Sequence, residues 1–280
     1  MTRPPAAFWK QLAAAGGLFV CAVTAQAQYG GGYFREGSLP PRFAPPEFPD
    51  RDFYACRLMY TRVRYEDMGI GWATDYPYSE RNLMTRLSEL TKTPISHDPT
   101  GEPNHFVLLL TDPLLFHCPF IMMTEVGAAY FDQAEAAQLR EYLLKGGFLW
   151  ADDFWGPAAW DNWAGEIAKA LPPGEFPIVD LPLDHPIFHT VLDVPRIPQI
   201  PSIGAWMQLG GGTSERGSLS AVPHVRAIKD EHGRIMVLIT FNTDFGDSFE
   251  EEATDHQYFL RFSADGYAFG INALVYAMTH

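Results

Sequence analysis

The apolar residues of this chain arrive in short unbroken blocks, 105–110 (HFVLLL), 119–124 (PFIMMT) and 148–151 (FLWA), each stopped by polar or turn-forming residues. Blocks without in–out alternation suit strands covered on both faces, which a sheet achieves when helices pack on each side of it. The intervening segments carry a helical period. Residues 79–90 place Leu83, Met84, Leu87 and Leu90 on one face. Asp132-Gln133-Ala134-Glu135 has capping-box spacing, Leu139, Tyr142 and Leu143 follow it, and Gly146-Gly147 can supply a left-handed stop. Pro157 fits a first helical position, ahead of a stripe of Trp160, Trp163, Ala164, Ile167 and Leu171. Further strands are expected over 53–60 and at Ile178-Val179. The runs 224–229 and 234–241 flank Asp230-Glu231-His232-Gly233 and read as a hairpin, giving the sheet an antiparallel edge. A buried helix over 266–278 closes the chain. Strands alternating with helices predict an α/β fold built on a mostly parallel sheet.

Before that domain lies an expected address. Arg3 and Lys10 precede an apolar stretch over 12–23, and Ala25-Gln26-Ala27 matches the small-x-small pattern of signal-peptide cleavage ahead of Gln28. The stretch is short for a hydrocarbon core of about 30 Å, so no stable span is expected in the mature chain, with a retained anchor as the alternative. Residues 28–51 hold Gly30-Gly31-Gly32 and prolines 40, 41, 45, 46 and 49, a composition for a linker or strap; 52–280 then reads as one domain. Export, to a periplasmic or other extracytoplasmic compartment, would remove Cys21 and leave Cys56 and Cys118 where a disulfide is permitted. For Cys56, inside an apolar run, a buried free thiol is the favoured expectation. Twenty Lys plus Arg against 34 Asp plus Glu leave a net charge of −14, which disfavours nucleic acid as a partner.

In an open parallel sheet, ligands bind beyond the carboxyl ends of the strands. Asp152 and Asp153 follow the FLWA block directly and are the leading candidates to hold a divalent cation or activate water, with Trp155 offering a flat apolar face to a ligand. Asp244, in the acidic stretch 242–252, and Asp75, in the turn-forming segment 72–77, fall at comparable junctions. Arg216, in the glycine-flanked loop 210–217, could meet an anion. His185 is a further catalytic candidate. Its spacing from His189 would suit zinc on a helix, but Pro186 pushes His185 towards extended backbone. His117-Cys118 is a poor dyad, since strand neighbours point apart, and Gly-x-Ser-x-Gly and His-Glu-x-x-His motifs are lacking.

The segments DYPYSERN (75–82), LLKGGFLWADDFWG (143–156), LPLDHPIF (181–188), TSERG (213–217), HGRIMVLITFNTD (232–244) and GYAFGINALVYAMTH (266–280) closely resemble, in order, an exported bacterial family described as a domain of unknown function, DUF4159. That family looks related to class I glutamine-amidotransferase-like domains, which implies a flavodoxin-like sheet flanked by helices. No catalytic assignment comes with the resemblance. Glutaminases of that class place a cysteine in a glycine-flanked turn after a central strand, and 146–153 has none, so glutaminase chemistry is not expected. These readings converge on an exported module for ligand binding or envelope assembly, with a small polar ligand or an envelope or membrane protein as partner. The alternative is a carboxylate- or metal-assisted hydrolase acting on a carbohydrate or envelope substrate.

Overall fold

The computed structural model describes residues 40–66 and 69–280; the expected signal segment and the strap up to residue 39 lie outside the described residues. In chain order the elements are β1 (Ala55–Met59), β2 (Thr61–Arg62), α1 (Tyr78–Leu90), β3 (His105–Leu109), β4 (Phe120–Met123), β5 (Ala129–Tyr130), α2 (Gln133–Leu144), β6 (Phe148–Ala151) and α3 (Gly156–Ala170). They continue with β7 (Ile178–Asp180), α4 (Ile203–Gln208), β8 (His224–Lys229), β9 (Ile235–Phe241), α5 (Phe245–Glu250) and α6 (Ala264–Thr279). The capping box that opens α2 is formed in full, with Asp132 accepting from the Glu135 N–H and Glu135 accepting from the Asp132 N–H.

One seven-stranded sheet has the order β3-β1-β4-β6-β9-β8-β7, and β2 and β5 form a separate antiparallel pair. The strands from β3 to β9 are mutually parallel. Counted alone, they follow the order 2-1-3-4-5 of a flavodoxin-like sheet. The hairpin β8–β9 is present, but it does not form the edge. β9 is stitched into the parallel set through β6, and the outermost strand is β7, antiparallel to β8.

Side-chain alternation along the strands divides the core into two layers. Leu149 and Ala151 of β6 join Leu139, Leu143, Trp163 and Ile167 of α2 and α3. Phe148 and Trp150 point the other way, into a layer with Leu83 and Leu87 of α1, Phe245 and Phe249 of α5, and Phe269 and Leu274 of α6. Because both faces are covered, the strands can be apolar throughout. The open edge of β3 is covered as well: Phe43, in the strap, bridges Val107 in parallel register, and the Arg42 side chain reaches Asn104 Oδ1 at 2.7 Å. Such cover protects an unpaired strand edge from other chains.

Cys56 is not a free thiol. It lies in the α2/α3 layer and forms a disulfide with Cys118, with Cα atoms 6.2 Å apart. The apolar run identified burial correctly, but the approach of the two residues depends on β1 and β4 being sheet neighbours, a long-range pairing. Among the described residues no helix is long and apolar enough to cross a membrane.

Candidate functional site

The chain turns from one side of the sheet to the other between β1 and β4, and that switch point opens a crevice at the carboxyl ends of the parallel strands. The loops after β1, β4, β6 and β9 meet there. Among the described residues, the non-glycine residues with positive φ are Asp75 (64°), Glu125 (47°), Asp153 (54°) and Asn242 (59°), one from each of these four loops. L-residues adopt this conformation at a cost, and such strain gathers where surrounding contacts hold a loop in a specific shape.

The site is built on a charge inside a strand. Arg57 of β1 is fully buried; it pairs with Glu80 of α1 and donates to Thr124 Oγ1 at 2.6 Å. Beyond it the buried charged side chains of these loops are acids. Asp152 is clamped by Thr240 Oγ1 on one oxygen and by the Gly246 N–H at 3.0 Å on the other. Asp153 accepts from Trp155 Nε1 at 3.0 Å. Asp244 caps α5 by accepting from the Asp247 N–H at 2.8 Å, and Asp247 accepts from the Ile203 N–H at 2.7 Å and the Tyr258 hydroxyl at 2.9 Å. Glu125 accepts from the Gly71 N–H.

Asp75 stands at the centre. Carboxylate oxygens of Asp75, Asp153 and Asp244 lie within 4.8 Å of one another, and so do those of Asp75, Asp247 and Glu250. Asp75 is 6% exposed, and no protein donor reaches its Oδ2. Arg57 Nη2, Ser79 Oγ and Glu80 Oε2, along the same β1–α1 connection, are also buried without a partner. Buried polar atoms are nearly always satisfied by protein or solvent, so these atoms are where a water or a bound ligand would find partners.

Electrostatics follow from the crowding. Burial, and then the neighbouring carboxylates, hold Asp75, Asp153 and Asp244 well above the usual carboxylate range. Desolvation raises Asp152 and Glu250 to about 7, and Glu125 and Asp247 to about 8, against hydrogen bonds that pull the other way. In the absence of a counter-cation the acids must take up protons, since unpaired charges are too costly to bury.

Asp75, Asp152, Asp153 and Asp244 therefore come together. Arg216 lies at the margin, with Nη2 3.9 Å from Glu66 and its stem against Gly156. Trp155 occupies a different place from the one its sequence position implied: it is 5% exposed and holds Asp153, so it presents no open face to a ligand. Nearby, Trp160, His224, Arg226, Phe241 and Asn242 line a groove of about 370 Å³. His185 is elsewhere. Its Nε2 is 3.2 Å from Lys229 Nζ, and Lys229 pairs with Ile235 at the start of β9, the opposite end of the sheet. His189 bonds to Asp193 and the Leu183 carbonyl instead of joining His185 in a ligand pair.

Arg57, Glu80 and Glu125 were not singled out in the sequence. Arg57 carried a readable signal, a charge within an apolar strand, which is rarely buried without a partner. Glu125 stands two residues past Met123, the end of β4, which is the position that Asp153 holds after β6.

Residues 59–278, more than three quarters of the chain, match the family model described as Domain of unknown function (DUF4159). No curated protein matches the chain. The chain belongs to the DUF4159 family.

Proposed function

We propose that this member of the family is an exported cation-binding domain, in which a hard divalent cation of the magnesium, manganese or calcium class sits on Asp75, Asp153 and Asp244 and presents its remaining coordination positions to an oxygen-rich ligand. The observation that carries this reading is Asp75 Oδ2, buried without a donor and grouped with the Asp153 and Asp244 carboxylates. A donor set made only of carboxylate oxygens suits hard cations rather than zinc or copper. The local charge calls for the same group, because Arg57, the one fully buried arginine among the described residues, gives its Nε to Glu80 and its Nη1 to Thr124. The groove beside Trp160 and Arg226 provides polar and aromatic surface for the rest of a ligand.

Export is part of the proposal. It draws support from the residue pattern over 1–27 and from the Cys56–Cys118 disulfide, a bond that persists in oxidising compartments. Hydrolysis by Asp152 or Asp153 together with His185 gains no support from the geometry, since both oxygens of Asp152 are engaged and His185 belongs to the far end of the sheet.

Calorimetric titration of metal-stripped protein with Mg²⁺, Mn²⁺ and Ca²⁺ tests the reading. Saturable binding of at least one of these ions, abolished by Asp153→Asn and accompanied by a rise in Tm, is the expected result. Absence of heat and of any Tm shift at pH 8 for all three ions would overturn it.

A further inference from the structure

We infer that the site is dinuclear: Asp75 bridges the first cation to a second, held by Asp247 and Glu250. This rests on the cation reading above and extends it to the number of ions and the role of the shared residue. Two carboxylate triads overlap, and Asp75 is the member common to both. A carboxylate has two oxygens, and one that serves two triads is disposed to give one oxygen to each of two ions. Carboxylate-bridged pairs of this kind hold their metals about 3.5–4 Å apart.

The ligands around the bridge are already oriented. Asp153 has Oδ1 fixed by Trp155, Asp244 has Oδ1 fixed by the Asp247 N–H, and Asp247 has Oδ2 fixed by Ile203 and Tyr258. Each therefore keeps its second oxygen for a metal while the first sets the orientation of the carboxylate, the arrangement by which outer partners tune metal ligands. Asp75 differs from these three, because no protein donor reaches its buried Oδ2.

The test is the stoichiometry and magnetic coupling of Mn²⁺ in the purified chain at pH 8, read by elemental analysis and by electron paramagnetic resonance. Two ions per chain with an exchange-coupled, multi-line signal are expected. Glu250→Gln should bind one ion with an uncoupled six-line spectrum, and Asp75→Asn should weaken both ions by about 100-fold or more. Neither substitution is expected to prevent folding, since each removes repulsion from the cation-free pocket; near-ultraviolet circular dichroism checks this. One ion in the wild-type chain, lost on Asp153→Asn, would overturn the dinuclear centre and leave the cation reading standing. Two uncoupled ions, of which Asp75→Asn removes only one, would overturn the bridge. No bound ion at all would overturn both readings.

Discussion

The carboxylate of Asp75 lies directly against the backbone of Gly246, so that a Cβ built at 246 would sit 3.0 Å from Asp75 Cγ and closer still to its Oδ2. Gly246 also donates its N–H to Asp152, which ties the same backbone unit to two acids of the site. Gly246→Ala should displace Asp75 from between its two groups of partners. Cation affinity is expected to fall at least tenfold, measured by calorimetry, while far-ultraviolet circular dichroism stays unchanged. Wild-type affinity in this variant would mean that Asp75 is not a ligand.

The carboxyls of the site also set a dependence of stability on pH. Asp152 and Glu250 are raised to about 7, and Glu125 and Asp247 to about 8, chiefly by desolvation. A carboxyl raised in the folded state binds more protons folded than unfolded between its two pKa values, so its contribution is present at low pH and is lost as pH rises through the folded value. Burial lowers His185 to about 4, which acts in the opposite direction, but only up to the ordinary histidine range. Above pH 6.5 that opposition ends, and the window to follow is pH 6.5 to 8.5, where the exposed His189, raised by its bonds to the Leu183 carbonyl and Asp193, adds a loss of the same sign. Metal-stripped protein should lose Tm steadily across it in differential scanning calorimetry, and millimolar Mg²⁺ or Ca²⁺ should restore most of the loss at the upper end. A flat or rising profile without cation would contradict the assignment.

Cys56 and Cys118 are separated by 62 positions, and the closed loop contains α1 and β3. In the chain-entropy account a cross-link of this span stabilises by about 4 kcal/mol. Chemical denaturation of the reduced and alkylated protein, or of a Cys56→Ala/Cys118→Ala variant, should show a loss of that order. A loss below about 1 kcal/mol would mean that the bond restrains the unfolded chain little.

Arg57→Met would leave the buried Glu80 carboxylate without its cation. Breaking a buried pair from one side typically costs about 3–5 kcal/mol, whereas replacing both partners with apolar residues costs much less. The double variant Arg57→Met/Glu80→Leu is therefore expected to be more stable in urea than Arg57→Met alone. The reverse order would assign Glu80 a stabilising partner other than Arg57.

The elements most legible in the chain were those specified by near neighbours. The capping box at Asp132 and Glu135, the apolar block of β6 and the turn between β8 and β9 each depend on residues only a few positions apart. Asp152, Asp153, Asp244 and Asp75 could be named because acids that follow a strand fall at loop ends in any parallel sheet. Trp155 and His185 show where that logic stops. A tryptophan two residues from a site aspartate can face a ligand or pack beneath it, and the choice fell to packing around α3. His185 belongs to the far end of the sheet because β8 runs antiparallel to β9, which carries Lys229 away from the carboxyl edge.

Local patterning was enough to specify an α/β domain and to mark the loop acids, because hydrophobic period and capping act over a few residues. The convergence of Asp75 with Asp153, Asp244, Asp247 and Glu250, the joining of Cys56 to Cys118 and the burial of Arg57 against Glu80 depend on which strands become neighbours. Strand order follows from the combined packing of two helical layers on one sheet, and no single stretch of chain contains that information.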